Sequence, residues 1–233
     1  MNIALIGYGK MGKAIEEILL ERGHNVVAKL SRKPETKDLI NVDVAIEFTN
    51  PEAAFENIKT LLENKIPTIS GTTGWLHQLE EIKKINQKNN SAFLYGSNFS
   101  LGVNLFFELN EKLARLMAKH SEYDVKLEEI HHTQKLDAPS GTAISLANQI
   151  IENSHFTQWE LDKKTSKENL PIYALRIDEV PGTHTVLYHS EIDSIEIKHT
   201  ANTRKGFALG AVIAAEWIHG KQGFFNMKDV LGL

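Results

Sequence analysis

The chain has 233 residues, of which 42% are hydrophobic and 24% charged, and its formal net charge is -4 at pH 7. These are ordinary values for a globular protein, and no run of like charges suggests a nucleic-acid or membrane surface. The lack of cysteine excludes disulfides, thiolate metal ligands and a cysteine nucleophile, and suits a reducing compartment. The first residues do not follow the pattern of a signal peptide, and no segment approaches the roughly 20 apolar residues of a membrane helix. We therefore expect a cytoplasmic protein.

The first part of the chain alternates predicted strands with predicted helices. Short apolar runs are typical of strands buried on both faces of a parallel sheet, and they occur at Ile3–Ile6, Asn25–Leu30, Val42–Phe48, Ile66–Ile69 and Ala92–Tyr95. Helical spacing predicts a helix that ends at Arg22, another from Asn50 to Leu62, and a third from Leu79 to Ile85. This alternation predicts an α/β fold with a Rossmann-type, doubly wound parallel sheet.

The pattern changes after the fifth strand. A long helix is predicted over Val103–Ala118, a strand over Tyr123–His131, and a helix over Thr142–Ile151. Several β-type runs then lie between Tyr173 and His199 without an intervening helix. This arrangement predicts a second, α+β domain that carries a mixed or antiparallel sheet.

The end of the chain suggests a discontinuous first domain. Ala208–Ile218 is apolar and helical in pattern, and we expect it to return to the first domain. The predicted domains are therefore residues 1–102 together with 206–233, and residues 103–205. The polar, lysine-rich segment 152–170 is expected to be an exposed mobile loop.

A glycine pattern, Gly7-x-Gly9-x-x-Gly12, separates the first strand from the first helix. In dinucleotide-binding proteins the first glycine permits the tight turn, the second lets the backbone approach a pyrophosphate, and the third brings the helix close to the strand. The helix N-terminus adds free N–H groups. The pattern alone is weak, but its place at the start of an α/β unit favours dinucleotide binding over a merely tight turn.

The end of the second strand bears on which dinucleotide binds. An acidic residue there would accept hydrogen bonds from a ribose and favour NAD. This chain has Ser31, followed by Arg32 and Lys33, so a 2′-phosphate would find cations and NADPH is favoured over NADH. Two alternatives stay open. The cations could belong to a solvated loop, or Arg32 could stack on an adenine.

Two further loops follow strands of the same predicted sheet, at residues 71–74 and 96–100. Ligands of such sheets bind beyond the carboxyl ends of the strands. Backbone groups and small hydroxyls in these loops could hold a nicotinamide and its ribose. Ordinary loop chemistry explains either loop equally well.

The segment EEIHHTQKLDAPSGT, residues 128–142, combines two histidines, a lysine and a helix start. A cap at Asp137 or Ser140 and a first-turn proline at Pro139 account for the helix start alone. A lone histidine more often has a structural role. Two imidazoles and Lys135 beside a helix N-terminus exceed what a helix start requires, so we predict a functional site.

The same segment can bind an anion and donate protons. The backbone N–H groups of Gly141 and Thr142, with the Thr142 hydroxyl, can take a carboxylate, and Lys135 or His132 can take a second charge. The chain has no HExxH motif and no carboxylate cluster, so we expect no metal. A hydride donor in one domain facing an acid and an anion site in the other would make a reductase.

The other candidates carry less weight. Arg204 lies near the expected return to the first domain, where a substrate contact and a surface arginine are equally compatible with the sequence. We predict a structural role for His184 and the remaining histidines.

Eight blocks in order resemble the 4-hydroxy-tetrahydrodipicolinate reductase (dihydrodipicolinate reductase) family over nearly the whole length. They are IGYGKMG, VAIEFTNPEA, ISGTTGW, GSNFSLGVN, EEIHHTQKLDAPSGTA, RIDEVPGTHTV, HTANTRKGFALGA and FFNMKDVLGL. The most specific is the His-His-x-x-Lys-x-Asp-Ala-Pro-Ser-Gly-Thr block.

The resemblance implies site residues in both domains. The proton donors would be His131 and Lys135, and the substrate would be bound by His132, Lys135, Ser140, Gly141 and Thr142. The nicotinamide cofactor, NADPH or NADH, would contact Gly7, Tyr8, Gly9, Lys10, Met11, Gly12, Ser31, Arg32, Gly71, Thr72, Thr73, Gly96, Ser97, Asn98 and Phe99.

The resemblance also implies a reaction. Hydride from NAD(P)H would add to C4 of a small cyclic dicarboxylate imine, with loss of the 4-hydroxyl as water, in diaminopimelate and lysine biosynthesis. An acid is needed because hydride addition to a conjugated imine leaves an enamine that must be protonated. Members of the family are usually homotetramers built through the sheet of the second domain. The second domain would therefore bind the substrate and also form the contacts between subunits.

Two departures from the family pattern leave the cofactor preference open. The segment between the second and third strands, residues 31–41, is short, and Ser31 stands where an acidic residue often ends the second strand. Two other functions are compatible with such a fold. A related Rossmann amino or imino acid dehydrogenase is disfavoured by the intact His-His-x-x-Lys block. A non-catalytic dinucleotide-binding regulator would be expected to have lost Lys135 or His131.

Overall fold

A computed structural model describes residues 1–203 and 205–233. The chain divides into two compact units, Met1–Leu101 with Lys205–Leu233, and Gly102–Arg204. None of the described helices combines the length and the apolar content that a membrane crossing needs. Arg204, for which the sequence left a substrate contact open, lies outside the described residues.

The described strands and helices follow the predicted order. The strands are β1 (Asn2–Ile6), β2 (Asn25–Leu30), β3 (Val44–Glu47), β4 (Thr68–Ser70), β5 (Ala92–Tyr95), β6 (Asp124–His131), β7 (Gln158–Leu161), β8 (Asn169–Arg176), β9 (Thr183–His189), β10 (Ser194–Thr200) and β11 (Gly223–Phe225). The α-helices are α1 (Lys10–Glu21), α2 (Pro51–Glu63), α3 (Leu79–Asn89), α4 (Leu101–Met117), α5 (Gly141–Glu152), α6 (Lys205–Ile218) and α7 (Met227–Leu231).

The first unit contains a parallel sheet of six described strands in the order β11-β5-β4-β3-β1-β2. The central strands β3 and β4 are buried along their whole length, as parallel strands covered on both faces are. The prediction of a Rossmann-type parallel sheet is confirmed. The short β11 was not predicted, because three residues carry too little periodicity to mark a strand.

Helix α6 forms part of the core of the first unit. Ala208, Ala211 and Ala215 are fully buried in the same cluster as Leu5 and Ile69. Small side chains let the helix approach its neighbours closely. At Gly210 an added Cβ would lie only 1.7 Å from the Phe99 carbonyl oxygen, so glycine is required there.

The second unit contains a mixed sheet of five described strands in the order β10-β9-β6-β8-β7. β6 pairs in parallel with β8 and antiparallel with β9, which places residues from β6, β8 and β9 side by side. On one face Leu127, Ile172 and Val186 pack against Leu146 and Ile150 of α5. The predicted α+β unit with a mixed sheet is confirmed.

The prediction of a mobile loop over residues 152–170 is wrong in part. Gln158–Leu161 forms the edge strand β7, and β8 already begins at Asn169. Phe156 is buried and Trp159 packs against the core of the second unit. The polar residues of this segment face outward on an edge strand, so its composition resembled that of a loop.

Candidate functional site

The glycine-rich turn of the first unit has a separate steric reason for each glycine. Gly7 has φ +94°, and an added Cβ would lie 1.9 Å from the Phe48 carbonyl oxygen. A Cβ on Gly12 would lie 2.3 Å from the Gly7 oxygen, so this glycine lets α1 approach the strand. At Gly9, the N-cap of α1, no described atom lies within 4 Å of the added Cβ. Gly9 therefore presents open backbone at a helix N-terminus, which fits an approaching pyrophosphate.

A cleft of about 360 Å³ lies beside this turn, within the first unit. Its walls combine backbone from the turn with the ends of β3 and β4, and comprise Gly9, Lys10, Met11, Gly12, Phe48, Thr49, Pro51, Gly71, Thr72 and Thr73. This is the carboxyl edge of the parallel strands, where such sheets bind ligands. Tyr8 lies next to the cleft residues in sequence, and its hydroxyl donates to Glu16.

A buried carboxylate, Glu47 at the end of β3, holds the cleft loops together. It is fully buried and accepts hydrogen bonds from the hydroxyls of Ser70 at 2.6 Å, Thr72 at 2.9 Å, and Thr49. Burial raises its pKa, and the three donors oppose that rise. The Thr49 N–H also donates to the Thr72 hydroxyl at 2.8 Å. Sequence reasoning missed Glu47, although a lone carboxylate in an apolar strand was a signal for it.

The cations at the end of β2 already have acidic partners. The two terminal guanidinium nitrogens of Arg32, Nη1 and Nη2, each donate to the Asp38 carboxylate at 2.8 Å, and Lys33 contacts Glu56 at 2.6 Å. The hydrogen bonds from Arg32 lower the pKa of Asp38. A 2′-phosphate would therefore compete with Asp38 for Arg32.

The two other predicted cofactor loops differ in what they can present. Thr72 is buried against Glu47, whereas Thr73 is exposed. At Gly71 an added Cβ would lie 2.1 Å from the Phe48 ring, so a larger residue would displace that ring. Backbone and Thr73 are thus the groups that this loop can offer to a ligand.

In the loop after β5, the polar residues Ser97 and Asn98 can contact a ligand, whereas the side chain of Phe99 is buried. Ser97 is exposed and Asn98 is half-buried, with the Asn98 side-chain oxygen accepting from the Ser100 N–H at 2.9 Å. Phe99 is 2% exposed and its ring packs against Phe48 at 5.6 Å between centroids. The Phe99 side chain therefore belongs to the core, as does the tight contact it makes with Gly96.

In the second unit, His131 ends β6 and is buried. Its Nδ1 lies 3.5 Å from the Glu129 carboxylate, and its ring packs edge-on against His184 with centroids 5.0 Å apart. Burial and the neighbouring His184 lower the pKa of His131 to about 4, although the Glu129 charge opposes this shift. The imidazole is therefore neutral at pH 7 in the free protein.

Glu129 is the centre of a buried polar cluster. Both of its carboxylate oxygens accept from the Ser140 N–H at 3.1 Å, and one also accepts from Arg176 at 3.2 Å. Burial alone would raise its pKa, but donors from His184 and Ser140 and the nearby His131 lower it to about 2. Glu129 is therefore ionised at neutral pH.

Helix α5 begins at this cluster. Ser140 is its N-cap, and its hydroxyl accepts from the Ala143 N–H at 3.2 Å. Asp137 is therefore not the cap, and Pro139 precedes the cap instead of occupying the first turn. Ser140 is 3% exposed, and its hydroxyl supports the helix start. Gly141 is exposed and Thr142 is half-buried in the first turn.

Lys135 lies in the loop between β6 and α5 and is held by a neighbour. Its amine contacts both carboxylate oxygens of Asp137, at 2.7 and 2.8 Å. A groove of about 610 Å³ runs along the same loop, lined by His132, Thr133, Gln134, Asp178, Glu179, Val180 and Pro181. The loop thus combines a cation, a half-buried imidazole at His132 and the start of α5.

Sequence reasoning missed Glu129, Arg176 and His184 as parts of this site. The ligand atoms of Glu129, His131 and His184 lie within 4.8 Å of one another, which is close enough for three metal ligands. A divalent cation there would lie against the Arg176 guanidinium that already contacts Glu129. The cluster is therefore best described as an ion pair with hydrogen-bonded neighbours.

Comparisons with known proteins agree along the whole chain. Family models match residues 1–99 as "Dihydrodipicolinate reductase, N-terminus" and residues 102–231 as "Dihydrodipicolinate reductase, C-terminus". A curated 4-hydroxy-tetrahydrodipicolinate reductase from Christiangramia forsetii is 57% identical over 99% of this chain and 98% of its own length. Another, from Methanocaldococcus jannaschii, is 36% identical over 98% of this chain and 81% of its own length.

Solved structures share the fold. A dipicolinate-bound dihydrodipicolinate reductase from Paenisporosarcina sp. has a TM-score of 0.79 at 24% identity and covers 98% of both chains. A DAP dehydrogenase from C. glutamicum has a TM-score of 0.53 at 14% identity, covering 97% of this chain and 92% of its own. From the family models and the full-length curated relatives, this chain belongs to the dihydrodipicolinate reductase family.

Proposed function

We propose that this protein reduces 4-hydroxy-tetrahydrodipicolinate to tetrahydrodipicolinate with NAD(P)H, in diaminopimelate and lysine biosynthesis. The 57% identity to a curated enzyme of that name, over 99% of the chain, carries the proposal. The intact His-His-x-x-Lys block at residues 131–135 supports it, because a non-catalytic relative would not need to keep both a buried imidazole and a lysine there.

The cofactor would be held by the first unit. The groups that would bind it are the open backbone at Gly9, the residues Ser31 and Arg32 after β2, and the loops 71–73 and 96–99. When bound, the reduced nicotinamide supplies a hydride for C4 of the substrate. The Glu47 hydrogen bonds support this assignment, since they fix the two loops that line the cleft.

The second unit would bind the dicarboxylate and supply the proton. The N–H groups of Gly141 and Thr142 would take one carboxylate, and His132 and Lys135 the other charge. Lys135 and His131 are the proposed proton donors. Because His131 has a pKa of about 4 in the free protein, Lys135 is the cation available before substrate binds. The two negative charges of the bound substrate would raise the pKa of His131, so that its imidazole could be protonated and act as a donor.

We further propose that NADPH is preferred over NADH. The residue that follows β2 is Ser31 and not a carboxylate, and the next residue, Arg32, is an exposed cation. Asp38 weakens this preference by pairing with the same guanidinium. Measured Kd values for the two cofactors test it directly.

The assembly is proposed to be a cytoplasmic homotetramer formed through the open face of the second sheet. On that face Ile130 of β6 pairs with Leu175 of β8, and Leu175 is 43% exposed. An apolar cross-strand pair facing solvent is a feature that an interface would cover. Light scattering on purified protein gives the mass that tests this.

The decisive experiment follows oxidation of NADPH and NADH by absorbance. The substrate is made in place from pyruvate and aspartate semialdehyde by the preceding synthase. Turnover that pyridine-2,6-dicarboxylate inhibits would establish the function, in keeping with the dipicolinate-bound relative from Paenisporosarcina sp.. Cofactor binding without turnover would instead favour a related amino acid dehydrogenase or a regulator.

A further inference from the structure

One buried carboxylate connects the proposed proton donor to the proposed anion pocket. Glu129 lies on β6 two residues before His131, with 0% of its surface exposed. Its oxygens lie 3.5 Å from His131 Nδ1 and 3.1 Å from the Ser140 N–H, which precedes α5. A single side chain thus contacts both the imidazole and the residue that caps the anion-binding helix.

The same carboxylate is fixed from two other strands. Arg176 of β8 donates to Glu129 at 3.2 Å and to the Asp137 carbonyl at 2.6 Å, so it also holds the loop that carries Lys135. His184 of β9 lies 3.6 Å from Glu129 and 3.1 Å from the Ser140 hydroxyl. Strand pairing places these groups together, since Glu129 is opposite His184 and His131 is opposite Arg176.

The charges in the cluster have a consequence for His131. Of the groups that face His131, the neighbouring His184, Lys135 and Arg176 disfavour protonation of its imidazole, and Glu129 favours it. Without Glu129 the imidazole would sit among cations and would resist protonation. Its orientation would also lose the anion that lies beside Nδ1.

We propose that Glu129 is a positioning residue for the reductase reaction, an inference that rests on the proposed function. It holds the His131 imidazole with Nδ1 toward the carboxylate and keeps His131 in register with the first turn of α5. It also lets the imidazole accept a proton once the anionic substrate is bound. Arg176 is its counter-ion and ties the Lys135 loop to the same point.

The test compares Glu129→Gln with Glu160→Gln. Glu160 is a matched control, because it lies in the same sheet and also accepts a hydrogen bond from a backbone N–H, that of Thr165 at 2.8 Å. We expect Glu129→Gln to lower kcat by about 10²-fold, the scale of a misplaced reacting group. Cofactor Kd should stay within about twofold of the wild type, since the proposed cofactor residues lie in the first unit.

A second readout separates positioning from stability. The His131 pKa is followed by NMR in the free proteins and in their complexes with pyridine-2,6-dicarboxylate. Removing a neighbouring negative charge lowers a histidine pKa, so Glu129→Gln should shift it below that of the wild type in both states. Glu160→Gln should leave it unchanged. A purely structural contribution by Glu129 would lower the midpoint of unfolding without moving this titration.

A third variant addresses the unpaired arginine that Glu129→Gln leaves behind. The double variant Glu129→Gln with Arg176→Gln removes both charges, so neither member of the ion pair is left as an unpaired charge. If Glu129 positions His131, this double variant stays as slow as Glu129→Gln. Should Glu129→Gln not fold, the double variant is compared with Arg176→Gln alone, and a lower kcat in the double variant gives the same answer.

Three results would overturn the inference: wild-type kcat in Glu129→Gln, an unmoved His131 pKa, or recovery of kcat in the double variant. Failure of the proposed function looks different. In that case the wild-type protein does not turn over the substrate, while the His131 titration still reports whether Glu129 acts on the imidazole.

Discussion

The Arg32 guanidinium is bound by the Asp38 carboxylate through two hydrogen bonds of 2.8 Å. Both residues are on the short connection between β2 and β3, where a ribose or its 2′-phosphate would approach. Many dinucleotide-binding proteins carry a carboxylate at the position of Ser31. Here the carboxylate of Asp38 lies seven residues further on, and it competes with the ligand for the Arg32 guanidinium.

Arg32→Ala should therefore raise the Kd of NADPH more than the Kd of NADH. The expected difference is about tenfold, because the substitution removes one charged hydrogen bond. Asp38→Asn should do the opposite and strengthen NADPH, because it frees the guanidinium. Fluorescence titration of both cofactors measures the effect, and the control is Lys83→Ala, which removes another ion-paired lysine of the first unit, the partner of Glu80. Equal effects on NADPH and NADH would limit Arg32 to stacking on the adenine.

Replacement of Lys135 by alanine should lower kcat by roughly 10²–10⁴-fold, the usual contribution of a positioned acid. Cofactor Kd should stay nearly unchanged. The control is Lys164→Ala, which removes another ion-paired lysine of the second unit, the partner of Asp124. A strong loss of cofactor binding in Lys135→Ala would contradict the assignment of cofactor and acid to different units.

Two alanine substitutions in the glycine-rich turn should separate binding from stability. Gly9 is extended and no described atom lies near its added Cβ, so Gly9→Ala should fold normally and raise cofactor Kd by about tenfold or more. Gly12→Ala would place a Cβ 2.3 Å from the Gly7 oxygen. It should cost about 1–3 kcal/mol of unfolding free energy. Unchanged cofactor affinity in Gly9→Ala would show that the pyrophosphate does not approach this backbone.

Glu47→Gln should loosen the cofactor cleft without touching the ligand. The amide replaces one acceptor oxygen by a donor, so at least one of the hydroxyls of Ser70, Thr49 and Thr72 loses its partner. We expect a loss of about 1–3 kcal/mol in unfolding free energy and equal weakening of NADPH and NADH. Urea unfolding and cofactor titration measure both, with exposed Glu52→Gln as the control. Selective weakening of one cofactor would argue against a loop-fixing role.

The free energy of unfolding should fall as the pH is lowered, because the pKa of His131 is lower in the folded protein than in the unfolded chain. Its pKa is about 4 in the folded protein against an ordinary value of 6.5, so below 6.5 the unfolded chain binds more protons. The free energy of unfolding should fall by on the order of 3 kcal/mol between these two pH values. Glu129, with a pKa near 2 against 4.5, adds a further loss below 4.5. Urea unfolding at stepped pH should show that His131→Asn flattens the upper part of this decline. An identical pH profile in that variant would show that His131 does not set it.

The local signals in the sequence predicted local structure well. Asn25–Leu30 and Ala92–Tyr95 are strands with the predicted bounds, because each is a short apolar run between clear breakers. The strands of the second sheet have weaker local signals. Gln158–Leu161 is an edge strand whose outward side chains are polar, so its pattern is also that of a loop.

In the candidate site, too, residues close together in sequence could be predicted, and residues brought together by the fold could not. The glycines of the 7–12 turn and the block around His131 are contiguous, so their chemistry can be read from one segment. The Glu129 cluster cannot, because Arg176 and His184 reach it only through the pairing of β6 with β8 and β9. Strand register between segments about 50 residues apart depends on the whole fold rather than on local pattern.

The return of α6 to the first unit has a consequence for synthesis on the ribosome. Residues 1–101 emerge first, but Ala208, Ala211 and Ala215 fill the same core as Leu5 and Ile69. The nascent first unit therefore exposes apolar surface while more than a hundred further residues are translated. The second unit is continuous in sequence and can complete its own core earlier. The core of the domain that is synthesised first is thus completed only when α6, near the end of the chain, has been synthesised.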